Sequence, residues 1–242
     1  MASIRFSVVF FLVSSLYFAP PSSCAGKVTL SLYYETLCPY CSNFIVNYLP
    51  KIFDDGLISV VDLELVPYGN ARIGPNGTIS CQHGRYECLL NTVEACAISA
   101  FPDVQVYFKF IYCVEQLVYE HKYMEWESCF PKTGLDSQAI VDCYNSGYGQ
   151  KLELQFAAQT AALQPPHTYV PWVVVDGQPL YDDYTNFEAY ICKAYDGSLP
   201  NACGGLAPQE VQVSDESQGC HVSEMIQSPV MEEREAKINM LL

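Results

Sequence analysis

Basic residues are scarce in this chain. Against 27 Asp and Glu stand 12 Lys and Arg, and the formal net charge is −15. Neutralising phosphates requires a basic face, so this balance argues against a nucleic-acid partner. Apolar runs are short as well. After residues 6–18, no stretch is long and apolar enough to span a bilayer, which leaves no basis for stable membrane insertion. No internal repeat is present, and no Lys or Arg lies inside the most reactive-looking motif, residues 38–41.

The early apolar run reads as a processing signal. Arg5 supplies the positive start, residues 6–18 the apolar stretch, and Pro20 and Pro21 end it. Ser23 and Ala25 are the small residues before a cut after Ala25. Residues 1–25 are therefore expected to be removed, leaving a lumenal or secreted protein that begins at Gly26. Losing Arg5 takes the net charge from −15 to −16. Acidic surfaces are ordinarily only well-solvated faces; the sharper reading is a protein that works at low pH, where protonation relieves its repulsion.

Cysteine is what the chain has in plenty: twelve residues. Two of them form Cys38-Pro39-Tyr40-Cys41, after the alternating apolar Val28, Leu30 and Leu32 and before the helix-like residues 44–49. Strand, C-x-x-C, helix is the build of a thioredoxin-like redox site. A helix N-terminus carries unsatisfied N–H groups and the positive end of the macrodipole, which stabilise a thiolate. Pro39 falls where a first-turn proline loses nothing by lacking an N–H. Cys38 is the expected attacking sulfur and Cys41 the thiol behind it.

Cys24 leaves with the signal, and Cys220 lies in a polar tail. Eight cysteines remain: Cys81, Cys88, Cys96, Cys113, Cys129, Cys143, Cys192 and Cys203. An even set in an oxidising compartment reads as structural disulfides. Their pairing is open, since eight cysteines allow roughly a hundred connectivities. One local bridge, Cys192–Cys203, is expected to close the last helix onto the chain after it.

Residues 27–34 read as a first strand, residues 39–49 as a first helix and residues 58–66 as a second strand. The Gly- and Pro-rich residues 67–80 read as a loop, and its Asn76-Gly77-Thr78 is a glycosylation sequon. Residues 85–163 turn helical in three or four segments. Seven of the eight structural cysteines lie in or beside them, so disulfides are expected to staple a subdomain too small to stand on packing alone. Strand character returns at residues 172–175, Asp176-Gly177 signals a hairpin, and residues 178–181 return. Thr185 is the expected cap of a last helix, residues 186–195. Residues 206–242 read as an acidic tail, mobile and open to trimming. The fold class is therefore α/β, a thioredoxin-like sheet with a helical insertion at about residues 81–163, in one domain over residues 26–205. In such a fold Val170-Pro171 is expected to be cis and to lie against the C-x-x-C, offering the Val170 backbone to a substrate strand.

A further string, Cys81-Gln82-His83-Gly84, then Glu87-Cys88, Asn91 and Cys96, reads CQHGRYECLLNTVEAC. In it the chain resembles the gamma-interferon-inducible lysosomal thiol reductases, matching the family signature C-Q-H-G-x-x-E-C-x-x-N-x-x-x-x-C in every fixed letter. The resemblance extends over about residues 27–205. It implies a thioredoxin-like fold, reduction of protein disulfides at acidic pH through Cys38 and Cys41, glycosylation, a lysosomal, vacuolar or secreted location, and a C-terminal propeptide that the tail would fit. Read from the residues alone, His83 is either a tuner of the nucleophile or, more ordinarily, structural. Glu87 and Asn91, at i and i+4, are expected to brace each other or cap a loop.

The expected chemistry is thiol–disulfide exchange on disulfide-containing protein substrates, with no cofactor and with an external small-molecule thiol as reductant. The same dithiol in another redox setting would oxidise or isomerise disulfides. A saposin-like lipid-binding module is the non-enzymatic alternative, opposed by the strand at residues 172–175. A zinc site from Cys38, Cys41, Cys81 and His83 has irregular spacing, and no metal is expected.

Overall fold

The computed structural model describes residues 26–205 and 218–224. The proposed signal and its cut after Ala25 lie outside these residues. Strand β1 (Val28–Tyr34) is buried on both faces. It leads into helix α1 (Pro39–Asn47) and a helical turn, α2 (Lys51–Asp54). Strand β2 (Val61–Pro67) follows and pairs in parallel with β1 from Val28 opposite Val61 to Tyr34 opposite Pro67. The expected second strand thus begins three residues late. Gly56 sits at a φ of 81°, and the Asp55 carboxylate accepts the Leu57 N–H at 2.9 Å, so residues 57–60 continue as a 3-10 turn.

A two-stranded ribbon, β3 (Arg72–Ile73) and β4 (Ile79–Ser80), forms within the expected loop. The helical insertion comprises α3 (Arg85–Ala100), α4 (Val104–Tyr119), the short α5 (Cys129–Thr133), α6 (Ser137–Asn145) and α7 (Tyr148–Ala161). The chain returns through β5 (Tyr169–Val170), β6 (Trp172–Val175) and β7 (Gln178–Pro179) to α8 (Phe187–Ala194). The last helix begins later than expected, because residues 181–186 form a 3-10 turn and Asn186, not Thr185, stands at the cap. The order β2-β1-β6-β7 places β1 at the centre, antiparallel to β6 with Leu32 opposite Val173. A four-stranded sheet of this kind has no place in an all-helical lipid-binding module.

Side-chain alternation builds two cores from β1. Leu30, Leu32 and Tyr34 pack with Phe44, Ile45, Phe187 and Ile191 on one side, and Tyr33 packs with Val66, Trp172 and Val174 on the other. A separate core under the insertion joins Leu90, Val93, Phe110, Val114 and Trp126. Burying a side chain of this size contributes about 1.5–3 kcal/mol each before entropy is charged. Disulfides Cys96–Cys143 and Cys113–Cys129 fasten this second core, Cys81–Cys88 fastens its entrance, and Cys192–Cys203 closes the C-terminal end of α8. All eight cysteines are paired among themselves. Among the described residues, no helix is long and apolar enough to cross a membrane.

Candidate active site

The end of β1 delivers the chain into a turn in which Cys38 N–H donates to the Glu35 carbonyl at 3.2 Å. Cys38 then occupies the N-cap of α1, extended at φ −72° and ψ 120°, with Pro39 at the first helical position. No side chain caps this end and no acid lies in the first turn, so the positive end of the helix is left to the cysteine. Cys41, one turn in, is fully buried and is the one free cysteine among the described residues. Burial pushes its thiol well above the ordinary cysteine range; a hydrogen bond with the Glu35 backbone offsets part of this, and the Glu35, Glu115 and Glu87 carboxyls push the same way as burial.

Cys38 is bonded to Cys220. This corrects the reading of Cys220 as an odd cysteine in a loose tail. Residues 220–221 form a strand, β8 (Cys220–His221), antiparallel to β5, with Val170 opposite Cys220 and Tyr169 opposite His221. The reason is backbone valence: β5 is an edge whose free groups take up an extended partner. The rest of the acidic tail lies outside the described residues. Val170–Pro171 is cis, and the Cys38 sulfur lies 3.7 Å from the Val170 carbonyl oxygen.

Side chains from two other segments hold β8. Asn70 Nδ2 donates to the Cys220 carbonyl at 2.9 Å and Gln82 Nε2 to the His221 carbonyl at 2.8 Å. The two amides also join each other, Asn70 Nδ2 to Gln82 Oε1 at 2.6 Å. Val222 N–H donates to the Thr168 carbonyl at 3.0 Å.

Behind the sulfurs sits a buried ionisable cluster. His83 Nδ1 lies 2.5 Å from Glu87 Oε2 and 3.4 Å from Glu35 Oε1. Burial pulls the imidazole down, but its bonds to Glu35 and Glu87 outweigh that and hold it at about 10. Glu35, raised to about 7 by burial and by Glu87, also accepts the Asn70 N–H at 2.7 Å. Gly69 makes this approach possible: at φ 56°, a Cβ there would meet Glu35 Oε2 at 2.5 Å. His83 is thus a half-buried cation between two buried carboxyls. Of the two roles expected for Glu87 and Asn91, the structure shows loop capping and not mutual bracing. Glu87 Oε1 accepts the His83 N–H at 3.0 Å while its other oxygen takes the His83 ring, and Asn91 Oδ1 accepts the Thr36 N–H at 3.0 Å, fixing the turn before Cys38.

Deeper still, Tyr34 Oη donates to Glu94 at 2.5 Å, and Glu115 lies beside Glu94. Burial raises Glu94 to about 8 and Glu153 on α7 to about 9, and pushes Glu115 well above the ordinary carboxyl range. Two facing carboxyls in this setting are satisfied when one keeps its proton and donates it to the other.

Glu35, His83 and Glu87 have ligand-type atoms within 4.8 Å of one another. The imidazolium itself supplies the cation there. The zinc set weighed from sequence does not assemble, since Cys38 and Cys81 are both in disulfides. Asn76 is exposed between β3 and β4, open to glycosylation. Sequence reasoning missed Asn70, Glu35 and the Glu94–Glu115 pair, whose only trace is acidic residues on otherwise apolar helices. Cys220 did leave a trace: past the signal, it is the odd cysteine left outside the redox pair and the even set of eight.

Residues 29–133 match the family described as "Gamma interferon inducible lysosomal thiol reductase (GILT)". The chain is similar to a "Gamma-interferon-responsive lysosomal thiol protein" of Arabidopsis thaliana, 47% identical over 188 residues, covering 76% of this chain and 78% of that relative. It is 39% identical over 191 residues to a "Gamma-interferon-inducible lysosomal thiol reductase" of Carassius auratus, covering 74% and 73% of the two chains. The protein of the same name in Mus musculus is 34% identical over 194 residues, covering 78% and 75%. In fold, the chain resembles oxidised DsbA of Mycobacterium tuberculosis at a TM-score of 0.53 and 18% identity, over 80% of this chain and 97% of the other. DsbA of Chlamydia trachomatis superposes with a TM-score of 0.52 at 13% identity, over 77% and 96%.

Proposed function

Because the chain belongs to the gamma-interferon-inducible lysosomal thiol reductase family, and is thereby a thiol oxidoreductase, we propose that it reduces protein disulfides in an acidic lumenal or extracellular compartment through Cys38 and Cys41. The observation that carries the reading is the state of Cys38. It sits at a helix N-cap, joined through sulfur to an extended strand that pairs with Val170, while an unbonded thiol waits one turn into the helix.

That arrangement is the geometry of a mixed disulfide midway through exchange. In turnover, the Cys38 thiolate attacks one sulfur of a substrate disulfide, and the other substrate sulfur leaves as a thiol. Cys41 then attacks Cys38 and releases the second substrate thiol, leaving a Cys38–Cys41 disulfide. Two electrons from an external small-molecule thiol restore the dithiol, and no cofactor takes part. The asymmetry between the sulfurs sets the order. Cys38 has the helix dipole to stabilise its thiolate, whereas burial keeps Cys41 protonated until a neighbour draws it out. An ordinary cysteine is almost wholly protonated in acid, so the helix terminus must lower Cys38 substantially for the reaction to run there.

Processing at Ala25, glycosylation at Asn76 and a lysosomal, vacuolar or secreted location belong to the same proposal. They are supported by the disulfide density, which fits an oxidising route. Trapping tests the mechanism. The Cys41→Ser variant should accumulate Cys38-linked substrate adducts on non-reducing gels, and Cys38→Ser should form none and lose turnover by at least about a thousandfold. Full activity in both variants would overturn it.

A further inference from the structure

We propose that residues 218–222 occupy the substrate's own place: the tail strand is an internal substrate, the chain as folded is a self-capped mixed disulfide, and Gln82 and Asn70 are the side chains that hold a substrate's backbone. The inference rests on the reductase reading above and names how that site grips its substrate.

The main-chain hydrogen bonds that hold the strand beside Cys38 are ones that any extended peptide could make, and the His221 ring against Tyr169, centroids 5.5 Å apart, adds a side-chain contact of this strand's own. Thr168 and Val170 pair with it through backbone groups. Gln82 and Asn70 donate to two successive carbonyls, those of His221 and Cys220. Tyr184 Oη donates to the Gln218 carbonyl at 3.2 Å. The grip is therefore on main chain, on both sides of the half-cystine, which suits an enzyme meeting many sequences. Gln82 is the second residue of the C-Q-H-G string, to which the sequence assigned no task.

A steric contact reads sequence as well. Gly219 lies just before the half-cystine, and a Cβ there would come within 2.9 Å of the Val170 carbonyl and 2.7 Å of the Tyr169 ring. Real Cβ atoms essentially never approach backbone so closely, so the site favours a glycine before the cysteine it attacks.

Uncapping needs no outside oxidant. Cys41 sulfur attacks Cys38 sulfur, the Cys38–Cys220 bond breaks, and a Cys38–Cys41 bond forms. Cys220 leaves and takes up the proton that Cys41 gives up, so two thiol-level electrons change places with no net oxidation. Because Cys220 is tethered, it returns at an effective concentration on the order of millimolar, and substrates must compete with it.

The test uses the full chain purified without reductant. Non-reducing peptide mapping after acid quench should recover Cys38 joined to Cys220. In a thiol redox buffer that keeps the Cys38–Cys41 pair reduced, iodoacetamide should label Cys38 at least about tenfold faster in Cys220→Ser and in Gly219→Val than in the unaltered chain, where the cap re-forms. In the Cys220→Ser background, reduction of a synthetic cystine peptide with Gly before the attacked cysteine should exceed that of its Val counterpart about tenfold in kcat/KM. Gln82→Ala should raise KM for the Gly peptide about tenfold with a smaller change in kcat. Recovery of Cys38–Cys41 with Cys220 unattached, equal labelling in all three chains, no Gly preference, or a Gln82→Ala loss confined to kcat would each overturn the proposal. A Cys220→Ser chain that labels fast yet reduces neither peptide would instead sink the reductase reading and leave the cap standing.

Discussion

At the scale of single residues, the site depends on close approaches that only particular side chains permit. Gly69 is the clearest. Its positive φ and the 2.5 Å approach to Glu35 leave no room for a side chain. Gly69→Val should lower the unfolding free energy by about 1–3 kcal/mol, read as a lower urea midpoint with unchanged slope, because it must expel Glu35 from its bond to Asn70. Cys38 and Cys41 were legible from sequence because what makes them reactive is local: a strand end at Tyr34, then a proline that begins a helix at Pro39. Cys220 was not, since its partner is chosen by a strand pairing 182 positions away in sequence. Glu94 and Glu115 were not either. Each sits on a helix where an acid ordinarily faces water, and only the packing of α3 and α4 against Tyr34 turns them inward.

At the scale of elements, the insertion is a helical layer whose core is fastened by disulfides. Cys96–Cys143 ties α3 to α6 across 47 positions, and Cys113–Cys129 ties α4 to α5 across 16. Closing loops of these lengths stabilises a fold by about 3–4 kcal/mol each in the chain-entropy account. Replacing Cys96 and Cys143 together with Ala should therefore cost about 2–4 kcal/mol. Amide exchange should rise in α6 and α7 before it rises in β1, because β1 keeps both of its pairings and both its cores. Uniform exchange across the chain would show that insertion and sheet open as one unit. The strands and helices here followed the sequence where periodicity was strong, as in β1, β6 and α7. They departed from it at element starts, where a left-handed Gly56 or a 3-10 turn before α8 decided the boundary.

At the scale of the molecule, acidity is built into the interior as well as the surface. Glu35, Glu94 and Glu153 are raised from the ordinary carboxyl value of 4.5 to about 7, 8 and 9. A carboxyl raised on folding stabilises fully below its unfolded value, and that contribution is lost as pH rises through its folded value. His83 acts with the same sign: raised from 6.5 to about 10, it stabilises below 6.5 and loses that contribution as pH climbs toward 10. The net charge of −15 adds repulsion in the same direction. The folded chain should therefore be more stable near pH 5 than near pH 8.5, by more than about 2 kcal/mol, in urea titrations at fixed salt. A flat or opposite profile would mean that these carboxyls titrate no higher in the fold than in the unfolded chain.

Turnover in acid depends first on the ionisation of one sulfur, that of Cys38. After gentle reduction, brief iodoacetamide labelling at about pH 5 with mass-spectrometric readout should modify Cys38 well ahead of Cys41 and far faster than a model thiol. Labelling of Cys38 no faster than a model thiol, or of Cys41 first, would contradict it.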